Sequence, residues 1–281
     1  MSDIEKQEAQ ARAFRAMHHG PRILLLPNVW DVASARTLEE AGFGAMATTS
    51  AGIAFSLGYP DGQKISREEM LAWVARIAHA MKVPVTADAE GGYGDRPEDA
   101  AATARGVADA GAVGMNLEDG TERPGHLVEL SLQVEKIRAV REAALHSGVQ
   151  LVLNARTDVY LEQVGAPETR YDETVRRLLA YRDAGADCVF VPGLRDSETI
   201  SRLVRDVQGP LNILAGPGSP SVPELEKLGV ARVSLGSAPM RATLGLLRRM
   251  AEELNTTGTY AAIEGAPSHA DVNRMLGRAK D

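Results

Sequence analysis

Four carboxylates, Asp61, Asp88, Glu90 and Glu118, stand where apolar runs of this chain turn acidic. Asp88 and Glu90 close the run Val-Pro-Val-Thr-Ala-Asp-Ala-Glu, and Glu118 closes Ala-Val-Gly-Met-Asn-Leu-Glu. Residues two apart on a strand point to one face, so Asp88 and Glu90 are expected to converge. Converging like charges repel unless something neutralises them. A hard divalent cation with oxygen ligands is the simplest neutraliser, and Mg²⁺, with Mn²⁺ as a substitute, suits an incomplete carboxylate site that keeps waters or substrate oxygens.

Each residue also has a plainer reading. Asp61 lies in Pro-Asp-Gly, ordinary turn chemistry. Glu118-Asp119 suits the start of a helix. Arg156, in Asn-Ala-Arg-Thr-Asp, reads either as the ion-pair partner of one acid or as a fork for a substrate carboxylate or phosphonate. Gly216–Ser219 and Gly236-Ser237 lie after the last strands, where barrels often bind phosphate, although glycine turns are common there in any case. His126 sits in the loop after Glu118, and Cys188 sits inside an apolar strand, a core residue rather than a nucleophile.

Positioning these groups requires strands that all end on one side. Short β-rich runs are predicted at Ile23–Leu26, Ala45–Thr49, Val83–Ala87, Ala112–Leu117, Gln150–Asn154, Cys188–Val191, Asn212–Ala215 and Arg232–Leu235. They alternate with amphipathic stretches such as Ser66–Met81, Pro97–Ala110, Leu130–Ser147 and Tyr171–Ala184. Ser66 caps one helix, and Gly111, Gly185 and Gly229 end others. Repeated β-then-α units imply right-handed crossovers and a parallel sheet, and about eight of them favour an α/β fold of the closed (β/α)8, or TIM, barrel type. Residues 1–20 read as a helix before the first strand, and Pro239–Leu254 as a helix after the last. The expected domains are therefore a barrel over residues 1–256 and a weakly hydrophobic tail over 257–281 that covers a neighbouring subunit or stays mobile.

Composition narrows the classes of function. The 281 residues are 44% hydrophobic and 25% charged, with a net charge of −7 and no basic cluster, which argues against nucleic acid. No apolar run reaches the length of a membrane span, the N-terminus is polar rather than signal-like, and one cysteine cannot form an internal disulfide. A cytoplasmic protein is expected.

As a set, Pro27-Asn28-Val29-Trp30-Asp31, Thr49-Ser50 leading to Gly58-Tyr59-Pro60-Asp61, Asp88-Ala89-Glu90-Gly91-Gly92-Tyr93-Gly94, Asn116-Leu117-Glu118-Asp119 and Asn154-Ala155-Arg156-Thr157-Asp158 resemble the isocitrate lyase/phosphoenolpyruvate mutase superfamily, in order and over most of residues 20–250. The resemblance implies a barrel whose C-terminal helix is exchanged between subunits of a homodimer or homotetramer. It implies Mg²⁺ held by Asp88, with Asp61, Glu90 and Glu118 acting mostly through waters. It places a small-molecule carboxylate substrate on the metal and on backbone N–H groups near Thr49 and Ser50, with Arg156 on a substrate oxygen and Asn212 at a second carboxylate.

The loop after the fourth strand departs from that pattern. It reads Gly120-Thr121-Glu122-Arg123-Pro124-Gly125-His126-Leu127, without the cysteine that serves the lyases as general acid and without the Lys and Asn of the phosphonate enzymes. Leu214-Ala215 also replace polar residues that help the lyases hold a tricarboxylate. The chemistry shared by the superfamily is formation of a pyruvate-type enolate, and decarboxylation makes the least demand on a loop acid. The expectation is a Mg²⁺-dependent carbon–carbon lyase acting on a small 2-oxo or 2-hydroxy di- or tricarboxylate, with oxaloacetate-like decarboxylation favoured. Glu122 and His126 are the candidates for proton transfer or lid closure. C–P chemistry on a phosphonopyruvate-like substrate, a 2-oxo acid-binding barrel with little turnover and a phosphate-binding barrel are the competing readings.

Overall fold

The computed structural model describes residues 2–277. Nine parallel segments build one sheet: β1 (Leu24–Leu26), β2 (Asn28–Val29), β3 (Met46–Thr48), β4 (Val85–Asp88), β5 (Gly114–Glu118), β6 (Val152–Arg156), β7 (Cys188–Val191), β8 (Leu211–Leu214) and β9 (Arg232–Ser234). Their order is β1-β9-β8-β7-β6-β5-β4-β3-β2. The two ends of that order are neighbours in the chain, separated only by Pro27. Proline has no N–H to give to a ladder, so the expected first strand is split. Its first half pairs with β9 and its second with β3, which closes the barrel. All eight expected strands are present, with boundaries shifted by one to three residues at most ends.

The helices are α1 (Asp3–Met17), α2 (Val32–Glu40), α3 (Ser50–Ser56), α4 (Arg67–Ala80), α5 (Pro97–Asp109), α6 (Leu130–Ser147), α7 (Arg170–Asp183), α8 (Ser197–Val207), α9 (Val222–Lys227), α10 (Ala238–Thr256) and α11 (His269–Leu276). Ser66 caps α4 through the Glu69 N–H at 3.1 Å, and Gly111 and Gly185 leave their helices at φ of +82° and +110°, where a side chain would be strained. Two elements were not foreseen. Residues 50–56 form a short helix, α3, capped by Thr49, where the sequence suggests only a connection. In the tail, Ser268 caps α11, which packs on α2 through half-buried Val272 and Met275. Three- and four-residue apolar spacing let this short segment cover its own chain. The last four positions of the expected tail lie outside the described residues.

The inside of the barrel departs from the usual filling of Val, Ile and Leu. Arg232 of β9 and Asn154 of β6 both donate to the side-chain carbonyl of Asn116 on β5, at 3.4 and 2.8 Å. Strands β9 and β5 are not sheet neighbours, so the first of these contacts crosses the lumen. All three residues are buried. The apolar core lies instead between sheet and helices, around Val74, Ile77, Val107, Ile137, Leu178 and Ile200.

Helix α1 plugs the N-terminal end of the barrel. Gln7 donates to the carbonyls of Ala108 and Ala112, Arg15 pairs with Asp187, and Phe14 is fully buried. His18, just after α1, is buried, and burial together with the positive charge of Arg232 lowers its pKa from 6.5 to about 4. The unfolded chain therefore takes up this proton first. Stability linked to His18 is complete above pH 6.5 and is lost as pH falls toward 4, about 3 kcal/mol over the whole window. Urea midpoints measured from pH 7.5 down to 4.5 should fall more steeply for the wild type than for His18→Gln. Parallel curves would contradict this account.

Candidate active site

The strand ends meet at a cavity of about 250 Å³ on the C-terminal side of the barrel, lined by Asp61 and Asp88, Arg156, Ser50, Asn116 and residues of the last βα connections. Asp88 is its most firmly held group. One carboxylate oxygen accepts from both the N–H and the hydroxyl of Ser50, at 3.0 and 2.8 Å, and the other accepts from the Asn116 amide at 3.2 Å. Asn116 can offer its N–H to Asp88 because its carbonyl faces the donors of Asn154 and Arg232. The Asp88 N–H is tied to the Thr48 hydroxyl at 2.9 Å.

Asp88 and Glu90 do not share one strand face, although they stay close enough for the charge of Asp88 to raise the pKa of Glu90. β4 ends at Asp88, and Glu90 follows with φ of +48°, so the two-residue alternation no longer applies. Glu90 is buried behind the cavity, where its carboxylate accepts from the Gln63 N–H at 2.5 Å and the Tyr93 hydroxyl at 2.9 Å. Gln63 and Tyr93 also have left-handed φ, of +54° and +57°. Three such non-glycine residues in mutual contact are the kind of local strain that packing must hold in place, at ~1–3 kcal/mol each. They fasten the turn carrying Asp61 to the end of β4.

Glu118 reaches Arg156 at 2.5 Å, and Asp158 takes the other edge of the same guanidinium at 2.6 and 2.9 Å. The plain reading of Arg156 as an ion-pair partner is thus part of the answer, whereas Glu118 ends β5 and starts no helix. Asp119 starts no helix. It is buried and accepts from Tyr181, Arg177 and the Asp158 N–H.

The acids strain against one another. Burial and then Asp88 raise the pKa of Asp61. Burial and then the charge of Asp88 raise Glu90 to about 7. Burial pushes Glu118 well above the usual carboxylate range, against the pull of Arg156. Among the described residues no group of three or more His, Cys, Asp or Glu is arranged to hold a metal by itself. The donor set nevertheless fits a hard cation bound partly through water: the donors are oxygens, Asp88 is fixed in place, and the surrounding negative charge lacks compensation.

Other expected residues lie elsewhere. Asn212 is fully buried beneath the cavity and exchanges hydrogen bonds with Ser234, and it is Ser234 that faces the opening. The Ser50 N–H, expected near a substrate carboxylate, is taken by Asp88, while Thr49 caps α3 and also lines the wall. Glu122 pairs with Lys64 at 2.6 Å, and His126 is exposed on the same loop; neither lines the cavity. Gly216–Ser219 is not part of the lining, whereas Gly236 and Ser237 are. Cys188 is buried in β7 with its pKa pushed up to about 12 by that burial, as suits a core thiol.

The sequence reading assigned no role to Asn116, Asp158, Ser234 or Arg241. Asn116 was legible in principle, since it lies two residues before Glu118 on one strand face. Arg241 and Asp158 carry no local signal.

A parallel α/β barrel with an anchored aspartate, an acid cluster and a clamped arginine at its C-terminal mouth is the architecture of an enzyme that handles small anions. The chain belongs to the phosphoenolpyruvate phosphomutase family, whose model matches residues 14–255, and so to the isocitrate lyase/phosphoenolpyruvate mutase superfamily. A solved structure from Burkholderia cenocepacia J2315, provisionally assigned as a lyase or mutase, is 42% identical with a TM-score of 0.91, covering 99% of this chain and 98% of that one. An uncharacterized protein of Mycobacterium tuberculosis is 38% identical over 94% of this chain and 91% of its own length. Oxaloacetate decarboxylase 2 of Pseudomonas fluorescens is 28% identical over 92% of this chain and 90% of its own. No helix among the described residues is long and apolar enough to cross a membrane.

Proposed function

We propose that the protein is a Mg²⁺-dependent carbon–carbon lyase that decarboxylates an oxaloacetate-like 2-oxo di-acid. The observation that carries this reading is the small acid-lined cavity in which Asp88 is locked by Ser50 and Asn116 beside Arg156, with no residue of loop 120–127 in its lining. Likeness to an oxaloacetate decarboxylase supports the choice of substrate.

Asp88 would hold the cation, with Asp61, Glu90 and Glu118 contributing through waters. When bound, Mg²⁺ supplies a Lewis acid for negative charge developing on the 2-oxo oxygen. The residues of the chain do the positioning. Arg156 has five N–H donors and spends three on Glu118 and Asp158, leaving two for a substrate oxygen. Phe190, against the Arg156 guanidinium, contributes an apolar part of the lining together with Pro192 and Leu214, which favours loss of neutral CO₂ over retention of the carboxylate. The bond between C3 and the distal carboxylate breaks, its electron pair passes into a pyruvate enolate, and C3 then takes a proton. Glu122 and His126 would take part only if loop 120–127 swings inward; its base is pinned by the Gly120–Leu127 bridge.

The assembly is part of the same reading. α10 packs mainly on the 3-10 turn Ala261–Ile263 and β2, leaving Leu244, Leu246, Leu247 and Leu254 exposed. A helix with so much uncovered leucine supports exchange of α10 with a second copy, as a dimer or tetramer.

The test is product release from oxaloacetate, 2-methylisocitrate, isocitrate, dimethylmalate and phosphonopyruvate, with Mg²⁺ and with EDTA. Pyruvate released from oxaloacetate only when Mg²⁺ is present is the expected outcome. Phosphate from phosphonopyruvate would move the assignment to C–P chemistry, and no product from any of the five would overturn it.

A further inference from the structure

We propose that Lys136, buried on α6, is a positioning residue for the metal site: it fixes the turn 89–94 after β4, and through that turn the place of Glu90 relative to Asp88. This rests on the reading of the strand ends as a Mg²⁺ site. The turn has a demanding backbone. Glu90, Gly92, Tyr93 and Gly94 have φ of +48°, +92°, +57° and +157°, values that glycine alone adopts freely. Such a backbone joins no regular ladder, so its buried carbonyls need individual donors. Ala89 accepts from the Gly92 N–H at 2.9 Å, Glu90 from the Glu118 N–H at 3.0 Å, and Gly92 from the Thr103 hydroxyl at 2.7 Å. The carbonyls of Gly91 and Gly94 both accept from the Lys136 ammonium, the second at 3.1 Å.

Lys136 is only 2% exposed. Burial lowers its pKa, while Asp95, Asp99 and Glu118 pull it upward. Burying an ammonium costs stability that an apolar side chain in the same space would not lose. What an apolar side chain cannot do is give two donors from one atom to carbonyls three residues apart. Gly91 follows Glu90 and Gly94 follows Tyr93, so the ammonium anchors the main chain next to both. Tyr93 in turn holds the Glu90 carboxylate through its hydroxyl, and its own N–H is held by the Gln63 side chain at 2.6 Å. Slack at Gly91 and Gly94 is therefore transmitted to the Glu90 carboxylate by two routes.

The sign of the effect separates position from charge. Lys136 acts on the charge of Glu118, so loss of its positive charge alone would tighten a cation bound at the acid cluster. Loss of the turn would weaken it. Calorimetric titration with Mg²⁺ reads this without turnover. Lys136→Met should raise the Kd for Mg²⁺ by ~10-fold or more. Lys136→Arg, whose fork can serve both carbonyls, should stay within about threefold of the wild type. In a Glu90→Gln background, Lys136→Met should add less than about twofold, because the two changes act through one element. If Lys136→Met does not fold, Lys136→Gln, one atom shorter and unable to bridge both carbonyls, carries the same expectations. An unchanged or lower Kd in the variant, or the same loss with and without Glu90, would overturn the role of Lys136 and leave the Mg²⁺ site standing. A wild type that binds no Mg²⁺ would bring down the metal reading and the role of Lys136 with it.

Discussion

Replacing Asp88 with alanine is expected to lower kcat/KM by at least ~10³-fold and to weaken Mg²⁺ by more than ~100-fold, with little change in fold. Among the described residues Asp88 is the one acid that both faces the cavity and has its carboxylate fixed by three hydrogen bonds, from the Ser50 N–H, the Ser50 hydroxyl and the Asn116 amide. A carboxylate held this way costs no reorganisation when a cation binds, and under the proposed function several kcal/mol of transition-state stabilisation would depend on that cation. The variant loses one negative charge from a crowded set, so its melting temperature should hold or rise. Calorimetric titration with Mg²⁺ and a decarboxylation assay over a range of Mg²⁺ concentrations would check both effects. An Asp88→Ala enzyme with wild-type Mg²⁺ dependence would remove Asp88 from the metal site.

Replacing Arg156 with methionine is expected to cost about 3–5 kcal/mol of folding stability in addition to activity. The guanidinium is the charge partner of Glu118 and Asp158, and all three side chains are largely shielded, at 18%, 17% and 4% exposure. Truncating the cation leaves two carboxylates facing one another, and burial already disfavours the ionised form of Glu118. Arg156→Lys keeps the charge but cannot reproduce the fork that serves both acids, so it should recover only part of the loss. Urea unfolding of the three proteins at pH 7 measures this directly. A midpoint for Arg156→Met equal to the wild type would mean that the pair contributes nothing net and that Arg156 is held for its substrate alone.

The two substitutions separate two kinds of support at one site. Asp88 is held by neutral donors, from Ser50 and from an amide that Asn154 and Arg232 orient inside the barrel. Arg156 is held by charge. Loss of the first should be read mainly in the metal, and loss of the second mainly in the fold.

Much of this was legible in the chain. Alternation of β-rich runs with amphipathic stretches is local, because strand and helix burial each impose their own period on neighbouring residues. The parallel barrel therefore followed from the sequence, as did the gathering of Asp61, Asp88 and Arg156 at its strand ends. What local pattern could not supply was anything dependent on a pairing between distant segments. The split at Pro27 marks where the sheet closes, but which strand each half joins is settled only by closure. Glu90 was placed beside Asp88 by strand alternation, and a left-handed φ stabilised by contacts with Gln63 and Tyr93 turned it away. Asn212 looked like a ligand residue until the depth of its strand placed it under Ser234. Arg241 looked like any helical arginine until the last helix began at the rim of the cavity. The sequence by itself determined the kinds of element and the chemistry available at their ends, since both depend on residue type and short-range period. Only the tertiary structure decided which acids face the cavity and which are drawn into ion pairs, since depth and charge pairing depend on residues brought together from across the barrel.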